Sequence, residues 1–186
     1  GSNGSGKSTL LMALTGLLPL ESGSIKVRSR PTLLAVNAAL RHGTSGRRNI
    51  IIGGLALGMS KREIEGKMDE ICAFAELEEF IDLPMRAYSS GMRARLSFAI
   101  ATAHQPEVLL IDEALAVGDA RFKEKSAARI NKIRSQAGAV ILVSHDTAEV
   151  ARSCDRTLWI EKGELKADGP TDEVIALYQA ATHLAG

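Results

Sequence analysis

The first nine residues constrain the fold of this chain more than any other stretch. They read Gly-Ser-Asn-Gly-Ser-Gly-Lys-Ser-Thr and match G-x-x-x-x-G-K-[ST], the pattern of a phosphate-binding P-loop. The glycines allow backbone N–H groups to point inward at phosphate oxygens, and a helix that begins near Lys7 adds the positive end of its dipole. A flexible Gly/Ser linker is the alternative, but a linker does not need Lys-Ser-Thr in register before an amphipathic helix. The pattern predicts a nucleotide-phosphate site.

Each residue of the motif has a predicted task. Lys7 is expected to reach the β- and γ-phosphates of a nucleotide, and the Ser8 hydroxyl is expected to bind Mg²⁺. The other residues expected to surround the nucleotide phosphates are Gly1, Ser2, Asn3, Gly4, Ser5, Gly6 and Thr9. Since a P-loop follows a buried strand and none precedes it here, we expect an N-terminally truncated domain that lacks the residues contacting the base.

Composition limits the class of protein. The chain has 186 residues, of which 45% are hydrophobic and 24% charged, enough for one sizeable core or for a core with a subdomain. A net charge of +1 gives no electrostatic argument for nucleic acid or an anionic membrane as a partner, so we expect no nucleic acid. Cys72 and Cys154 lie in apolar helical patterns, which predicts buried thiols in a reducing compartment. No apolar run is long enough to span a membrane.

Hydrophobic periodicity divides the chain into an α/β core and a helical insertion. Alternating and apolar runs predict strands over residues 24–28 and 32–36. The polar composition of residues 37–50 predicts a loop that leaves the core. Ser60 begins a capping-box pattern, and residues 61–77 have helical spacing. This middle part of the chain is predicted to be a helical subdomain.

Two later apolar runs end in side chains suited to phosphate chemistry. Residues 107–113 predict a central parallel strand that ends in Asp112, which can hold Mg²⁺ through water or directly, and in Glu113, which can polarise an attacking water. Residues 138–146 predict a second buried strand that delivers His145. Exposed acids and a structural histidine are the alternatives. Because parallel strands present their carboxyl ends at one edge of a sheet, we expect the three side chains to converge.

Other segments complete the predicted fold. A small-residue turn at residues 88–91 runs into a helix, where plain capping is the alternative to an anion site. A charged amphipathic helix is predicted over residues 120–136, with a solvated polar face. A hairpin is predicted over residues 156–167 with its turn at Lys162-Gly163, followed by a last helix over residues 171–181.

Taken together, these motifs resemble the nucleotide-binding subunits of ABC transporters. In chain order they are a P-loop at residues 1–9, a signature turn at 89–92, a Walker B strand at 108–113, a D-loop around Asp119 and a switch histidine, His145. The resemblance implies a single ABC ATPase domain of the α/β class. It would consist of a P-loop NTPase core with a parallel sheet flanked by helices, at residues 1–37 and 101–186, and an inserted α-helical subdomain at about 44–100.

The resemblance also implies how the motifs work together. Two identical subunits would pack head to tail, with each ATP held between the P-loop of one subunit and the signature turn of the other. Ser89, Ser90 and Gly91 would contact the partner's nucleotide, and Asp119 would link the two subunits. The remaining roles implied are the catalytic base for Glu113 and the γ-phosphate sensor for His145.

The sequence departs from the commonest family pattern at two places. The signature turn reads Tyr-Ser-Ser-Gly-Met instead of Leu-Ser-Gly-Gly-Gln, a form similar to the branch that exports O-antigen, teichoic acid, capsule and mycobacterial-type galactan. The loop at residues 36–41 has no glutamine where the family senses Mg²⁺ and water, and Asn37 is the only amide nearby. The resemblance therefore assigns that role to Asn37.

The function expected from this resemblance is that of an ATP-binding and ATP-hydrolysing motor subunit of a bacterial exporter for lipid-linked polysaccharide. The subunit would lie at the cytoplasmic face of the inner or plasma membrane, docked on a separate transmembrane permease through residues 37–57. Three alternatives stay open: an ABC ATPase of another transporter type, a non-transport ABC protein acting on ribosomes or DNA, and a catalytically inactive binding module.

Overall fold

The computed structural model describes residues 1–2, 4–34, 40–112 and 119–183. A short 3₁₀ turn covers Met85–Ala87. The strands are β1 Thr32–Leu34, β2 Val108–Asp112, β3 Ala139–Val143, β4 Arg156–Glu161 and β5 Glu164–Pro170. The helices are α1 Lys7–Leu14, α2 Gly46–Ala56, α3 Lys61–Ala75, α4 Ser90–Ala101, α5 Ala120–Gln136, α6 Thr147–Ser153 and α7 Thr171–His183.

A parallel sheet with neighbouring helices forms the α/β part of the fold. Its strands are hydrogen-bonded in the order β1-β2-β3, so the strand that ends in Asp112 is central. β4 and β5 form a separate antiparallel pair. The predicted α/β class with a parallel sheet is therefore confirmed. No helix in the described part of the chain is long and apolar enough to cross a membrane.

The chain divides into two compact units, and the first contains the P-loop. This unit comprises Gly1–Leu33, Leu110–Glu113 and Ile141–Gly186. In it, α7 packs on the β4–β5 hairpin, where the rings of Trp159 and Tyr178 meet edge to face with centroids 5.5 Å apart.

The second unit is largely helical. It comprises Leu34–Leu109 and Ala114–Val140, and α2, α3 and α4 pack against one another within it. Its largest buried cluster is apolar and includes Ile50, Ile64, Met85, Leu96 and Ile100. Phe74, Phe98 and Phe122 form an aromatic group with ring centroids 5.6 to 5.9 Å apart. That the helical subdomain covers residues 44–100, as the sequence predicts, stays a prediction.

Several local predictions agree with the structure. The Ser60 hydroxyl accepts the Glu63 N–H while the Glu63 carboxylate accepts the Ser60 N–H, so the capping box is formed. The charged helix covers the predicted residues 120–136, and the hairpin turns at Lys162 and Gly163, both with positive φ. Such a turn suits the right-handed twist of a two-stranded ribbon.

Two secondary-structure predictions for the N-terminal half of the chain are wrong. Residues 24–28 form no strand, because no other described strand pairs with them, and their alternating pattern leaves Ile25 and Val27 exposed. The predicted loop over 37–50 is also wrong in its second half, since α2 already begins at Gly46. The Ser45 side chain accepts the Arg48 N–H and so caps that helix.

Two predictions of burial are also corrected. β3 was predicted as a buried strand, yet its residues alternate between exposed and half-buried, and Ile141 is exposed. Cys72 is buried as predicted, and burial raises the pKa of its thiol, whereas Cys154 is half-buried at the end of α6. Seven-residue α6, which the sequence pattern did not predict, begins where the Asp146 side chain accepts the N–H groups of Ala148 and Glu149.

Ser126 gives a prediction of stability. Its hydroxyl is buried on α5, only 2% of the residue is exposed, and Oγ has no hydrogen-bond partner among the described residues. Since a buried unpaired hydroxyl loses its bonds to water, Ser126→Ala should raise the free energy of unfolding by about 1 kcal/mol. Urea denaturation measures this, with Ser135→Ala as the control because that hydroxyl is exposed and bonded to the Lys132 carbonyl. A clear loss of stability in Ser126→Ala would contradict the absence of a partner.

Candidate phosphate-binding site

The backbone of residues 4–6 turns as the P-loop pattern predicts. Gly4 and Gly6 have φ values of 79° and 101°, in the left-handed region that favours glycine. Gly6 is the N-cap of α1, so that helix begins at Lys7 with its N-terminus against the loop. At Gly1 a Cβ would lie 1.8 Å from the carbonyl oxygen of Ile160, so the first motif position admits only glycine. The loop leaves helix N–H groups available for an anion.

The Lys7 ammonium group forms hydrogen bonds with three residues of its own loop. Nζ donates to the carbonyl oxygens of Gly1 at 2.9 Å and Ser2 at 2.7 Å, and to Ser5 Oγ at 3.3 Å. These acceptors are neutral, so a phosphate oxygen bearing negative charge would be a stronger partner for the same ammonium group. These bonds hold the lysine directly over the loop in which it is predicted to contact nucleotide phosphates.

Ser8 joins the P-loop to the central strand of the sheet. Its hydroxyl donates to Asp112 Oδ2 over 3.0 Å, and Asp112 is the last residue of β2. Two residues that lie 104 positions apart in the sequence are thus in direct contact. This is the pair predicted from sequence to bind a metal ion.

The β4–β5 hairpin supports the loop, a contact that the sequence analysis missed. The Gly163 N–H donates to the Ser5 carbonyl at 2.9 Å, and the Ser2 hydroxyl donates to Glu161 Oε1 at 2.6 Å. The hydrogen bond from Ser2 lowers the pKa of the Glu161 carboxyl. The Lys-Gly turn was visible in the sequence, but nothing local indicated that it would contact the P-loop.

His145 follows β3, the neighbour of β2 in the sheet. Its side chain is exposed. The residues on either side of it are hydrogen-bonded. The Ser144 hydroxyl donates to the Glu149 carboxylate at 3.0 Å and accepts the Asp146 N–H at 3.0 Å. The parallel strands put Asp112 and His145 at the same edge of the sheet. Their convergence on one phosphate stays a prediction.

The predicted signature turn forms the start of α4 in the second unit. Ser89 is the N-cap, and its Oγ accepts the Met92 N–H at 3.2 Å. Ser89, Ser90 and Gly91 are all exposed, and a Cβ at Gly91 would meet only Ser89 Oγ, at an ordinary 3.8 Å. Ser89 therefore caps α4, its contact with a nucleotide stays a prediction, and packing among the described residues gives no reason for glycine at position 91.

Asp119 is likewise a helix cap. Its Oδ1 accepts the Phe122 N–H at 2.9 Å at the start of α5. The carboxylate has a clear structural task in the monomer, and the predicted link across a dimer stays a prediction. Three predicted site residues, Asn3, Asn37 and Glu113, lie outside the described residues.

A family comparison decides which class of protein carries this site. Residues 1–116, more than half of the chain, match the family model described as ABC transporter. The chain belongs to the ABC transporter family. The resemblance read from the five motifs is thereby confirmed.

This ABC transporter chain is similar to curated proteins that are named as ATP-binding proteins of export systems. It is 47% identical over its full length to the O-antigen export system ATP-binding protein RfbB of Myxococcus xanthus, covering 43% of that protein. Over 98% of the chain it is 40% identical to the teichoic acids export ATP-binding protein TagH of Enterococcus faecalis, covering 41% of it. The chain thus spans about two fifths of the length of these relatives. For the RfbB protein of Klebsiella pneumoniae the identity is 38%, over 97% of the chain and 74% of the relative.

Solved structures agree with the ABC fold. An ATP-binding subunit of an ABC transporter superposes over 96% of the chain and 80% of its own length, with a TM-score of 0.75 and 23% identity. A dimeric ATP-binding cassette in a post-hydrolysis state, bound to ADP and Pi, superposes over 92% of the chain and 83% of its own, with a TM-score of 0.67 and 23% identity.

Proposed function

We propose that this chain binds and hydrolyses ATP as the motor subunit of a bacterial ABC exporter for lipid-linked cell-surface polysaccharide. The observation that carries the catalytic part is the contact of Ser8 with Asp112, which joins a P-loop to a carboxylate at the tip of a central strand. The printed names of the relatives, O-antigen and teichoic acids export proteins, support the class of cargo.

Phosphate binding is the first step in this proposal. The β- and γ-phosphates of ATP would take the place of the loop carbonyls as partners of Lys7 Nζ, which is already directed at the loop. Backbone N–H groups of residues 4–9 and the N-terminus of α1 would complete the cradle. The left-handed backbone at Gly4 and Gly6 supports this arrangement.

Ser8 and Asp112 fit a Mg²⁺ ion. Adjacent ligands of an octahedral Mg²⁺ at 2.0–2.1 Å lie about 3 Å apart, and the Ser8 hydroxyl and Asp112 Oδ2 are 3.0 Å apart. Both are hard oxygen donors, and Mg²⁺ prefers a few such protein ligands, with water and phosphate oxygens in its other positions. When bound, the ion would neutralise charge on the β- and γ-phosphates.

The remaining catalytic roles in the proposal belong to side chains that follow the strands. Glu113 would accept a proton from the attacking water, and His145 would donate a hydrogen bond to the γ-phosphate. Asn37 would orient the water through its amide. The order β1-β2-β3 supports this assignment, because residues just beyond these parallel strands share one edge of the sheet.

A second copy of the chain would complete the site. Ser89, Ser90 and Gly91 are exposed at the N-terminus of α4, and the lack of a side chain at Gly91 would let a phosphate approach the backbone closely. We assign this surface to the nucleotide of a partner subunit in a head-to-tail homodimer, with Asp119 close to the shared interface. The subunit pair would act at the cytoplasmic face of the membrane through a separate transmembrane permease.

Replacing Ser8 tests the proposal at its central contact. Ser8→Ala removes one metal ligand and should lower the rate of Mg²⁺-dependent ATP hydrolysis about 100-fold, the scale expected for the loss of one group that stabilises transition-state charge. Ser8→Thr is the matched control, since it keeps a hydroxyl and P-loops accept either residue. In cells whose only copy carries Ser8→Ala, surface polysaccharide should be lost while Ser8→Thr retains it. Full hydrolysis by Ser8→Ala would refute the metal site, and normal surface polymer would refute the export role.

A further inference from the structure

Tyr88 immediately precedes the signature turn at residues 89–92 and stands where the commonest family form has leucine. The residue is 3% exposed, and its hydroxyl donates to the Phe80 carbonyl oxygen over 2.7 Å. Burial raises the pKa of this phenol, so the hydroxyl keeps its proton and remains a donor. Leucine could fill the same apolar space but could not make the hydrogen bond.

Gly46, the first residue of α2, leaves room for the Tyr88 hydroxyl. A Cβ at position 46 would lie 2.3 Å from Tyr88 Oη and 3.0 Å from the Ile81 carbonyl oxygen. Its φ is not in the left-handed region, so what requires glycine here is this close approach and not the backbone conformation. The tyrosine and the glycine are therefore complementary in shape.

The same two segments are joined by backbone hydrogen bonds. The N–H of Arg47 donates to the Ile81 carbonyl at 2.9 Å, and the N–H of Met85 donates to the Thr44 carbonyl at 2.9 Å. The guanidinium of Arg47 also pairs with the Asp82 carboxylate at 2.7 Å. Hydrogen bonds and an ion pair thus hold the start of α2 against residues 81–85, the segment before the signature turn.

Tyr88 connects this segment directly to the signature turn. Ser89 is the next residue, and the Arg93 guanidinium donates to the Tyr88 carbonyl oxygen from one turn into α4. The N–H of Arg93 also bonds to the Ser89 carbonyl at 3.1 Å. A displacement of the Tyr88 ring would therefore move the cap of α4.

We propose that Tyr88 is a positioning residue, which sets the signature turn against the start of α2 through its hydroxyl bond to Phe80 and its fit over Gly46. This inference rests on the proposed function, in which Ser89 and Gly91 contact the partner's nucleotide. It adds a route by which a change at the start of α2 alters the geometry of the turn.

Tyr88→Phe tests the hydroxyl while it keeps the ring. In the full chain carrying Glu113→Gln, ATP-driven dimerisation should weaken about three- to tenfold, the range that corresponds to one hydrogen bond. The affinity of the monomer for a fluorescent ATP analogue should not change, because the P-loop is untouched. Ile64→Val is the control, since it removes one methyl group from the same apolar cluster and no hydrogen bond, so it should lower stability but leave dimerisation unchanged. If the two substitutions weakened dimerisation equally, Tyr88 would act only through packing, and the positioning role would be refuted.

A double substitution tests the fit over Gly46. Gly46→Ala alone should weaken dimerisation more than Tyr88→Phe does, because its Cβ collides with the hydroxyl. Tyr88→Phe removes the shortest of the contacts that the alanine would make, while the contacts with Ile81 remain, so the double variant should lose less than the sum of the two single losses. Additive losses would overturn the proposed complementarity.

Hydrogen–deuterium exchange separates this inference from the proposed function. In nucleotide-free protein, Tyr88→Phe should speed exchange in a peptide covering residues 89–96 about three- to tenfold relative to Ile64→Val. Unchanged exchange would refute the positioning role, whatever ATP does. If ATP fails to dimerise the parent protein but exchange rises as expected, the proposed dimeric function fails and the positioning of the turn by Tyr88 stands.

Discussion

Lys7→Ala is expected to lower the ATP hydrolysis rate by a factor on the order of 10³, the scale of losing a cation that stabilises a transferring phosphoryl group. The physical reason is that Lys7 Nζ is the cation held over the P-loop, in contact with Gly1, Ser2 and Ser5. A steady-state ATPase assay measures the rate, and titration with a fluorescent ATP analogue measures binding. Both should fall, because the proposed contact of the lysine with the phosphates would be made in the ground state as well as in the transition state.

The control for this charge is Lys26→Ala. Lys26 is an exposed lysine that belongs to no helix or strand, so its loss should leave hydrolysis unchanged. If Lys7→Ala hydrolysed ATP at the parent rate, the assignment of residues 1–9 as the phosphate site would be wrong.

Glu113→Gln is expected to keep ATP binding and to lose turnover about 10²- to 10⁴-fold, the usual contribution of a general base. The amide keeps the size of the carboxylate but cannot accept a proton from water. Single-turnover hydrolysis measures the chemical step, and nucleotide binding is measured on the same sample. Glu107→Gln is a matched control, because Glu107 precedes β2 at the end of the strand opposite Asp112. Turnover at the parent rate would place the base elsewhere.

Elements with strong local signals were predictable from the sequence. The Ser60 capping box, the charged helix α5 and the hairpin turn at Lys162-Gly163 each depend on residues within a few positions of one another. Capping hydrogen bonds and left-handed turns are local chemistry, so short patterns determine them. The P-loop belongs to the same class, since its glycines specify the backbone directly.

Elements that depend on distant partners were harder to predict. Residues 24–28 alternate as a strand would, but a strand also needs a neighbour to pair with, and the described residues supply none. The start of α2 was assigned to a loop because its residues continue a polar stretch without apolar periodicity, whereas the Ser45 cap and the pairing with residues 81–86 favour the helix.

The candidate site shows the same division between local and distant information. The motif pattern identified Ser8 and Asp112 because each lies in a recognisable short sequence. The supporting contacts of Glu161 with Ser2 and of Gly163 with Ser5 join residues about 160 positions apart, and no spacing rule predicts them. The complementarity of Tyr88 and Gly46 likewise exists only after folding.

The most direct test of the account is the mass of the Glu113→Gln chain in solution, measured by size-exclusion chromatography with light scattering, with and without Mg-ATP. We expect a monomer without nucleotide and a dimer with Mg-ATP. Adding Ser89→Arg should abolish the dimer while the monomer still binds nucleotide, since the bulky charge occupies the exposed cap of α4. A protein that binds Mg-ATP yet stays monomeric, or a dimer unaffected by Ser89→Arg, would contradict a site shared between two subunits.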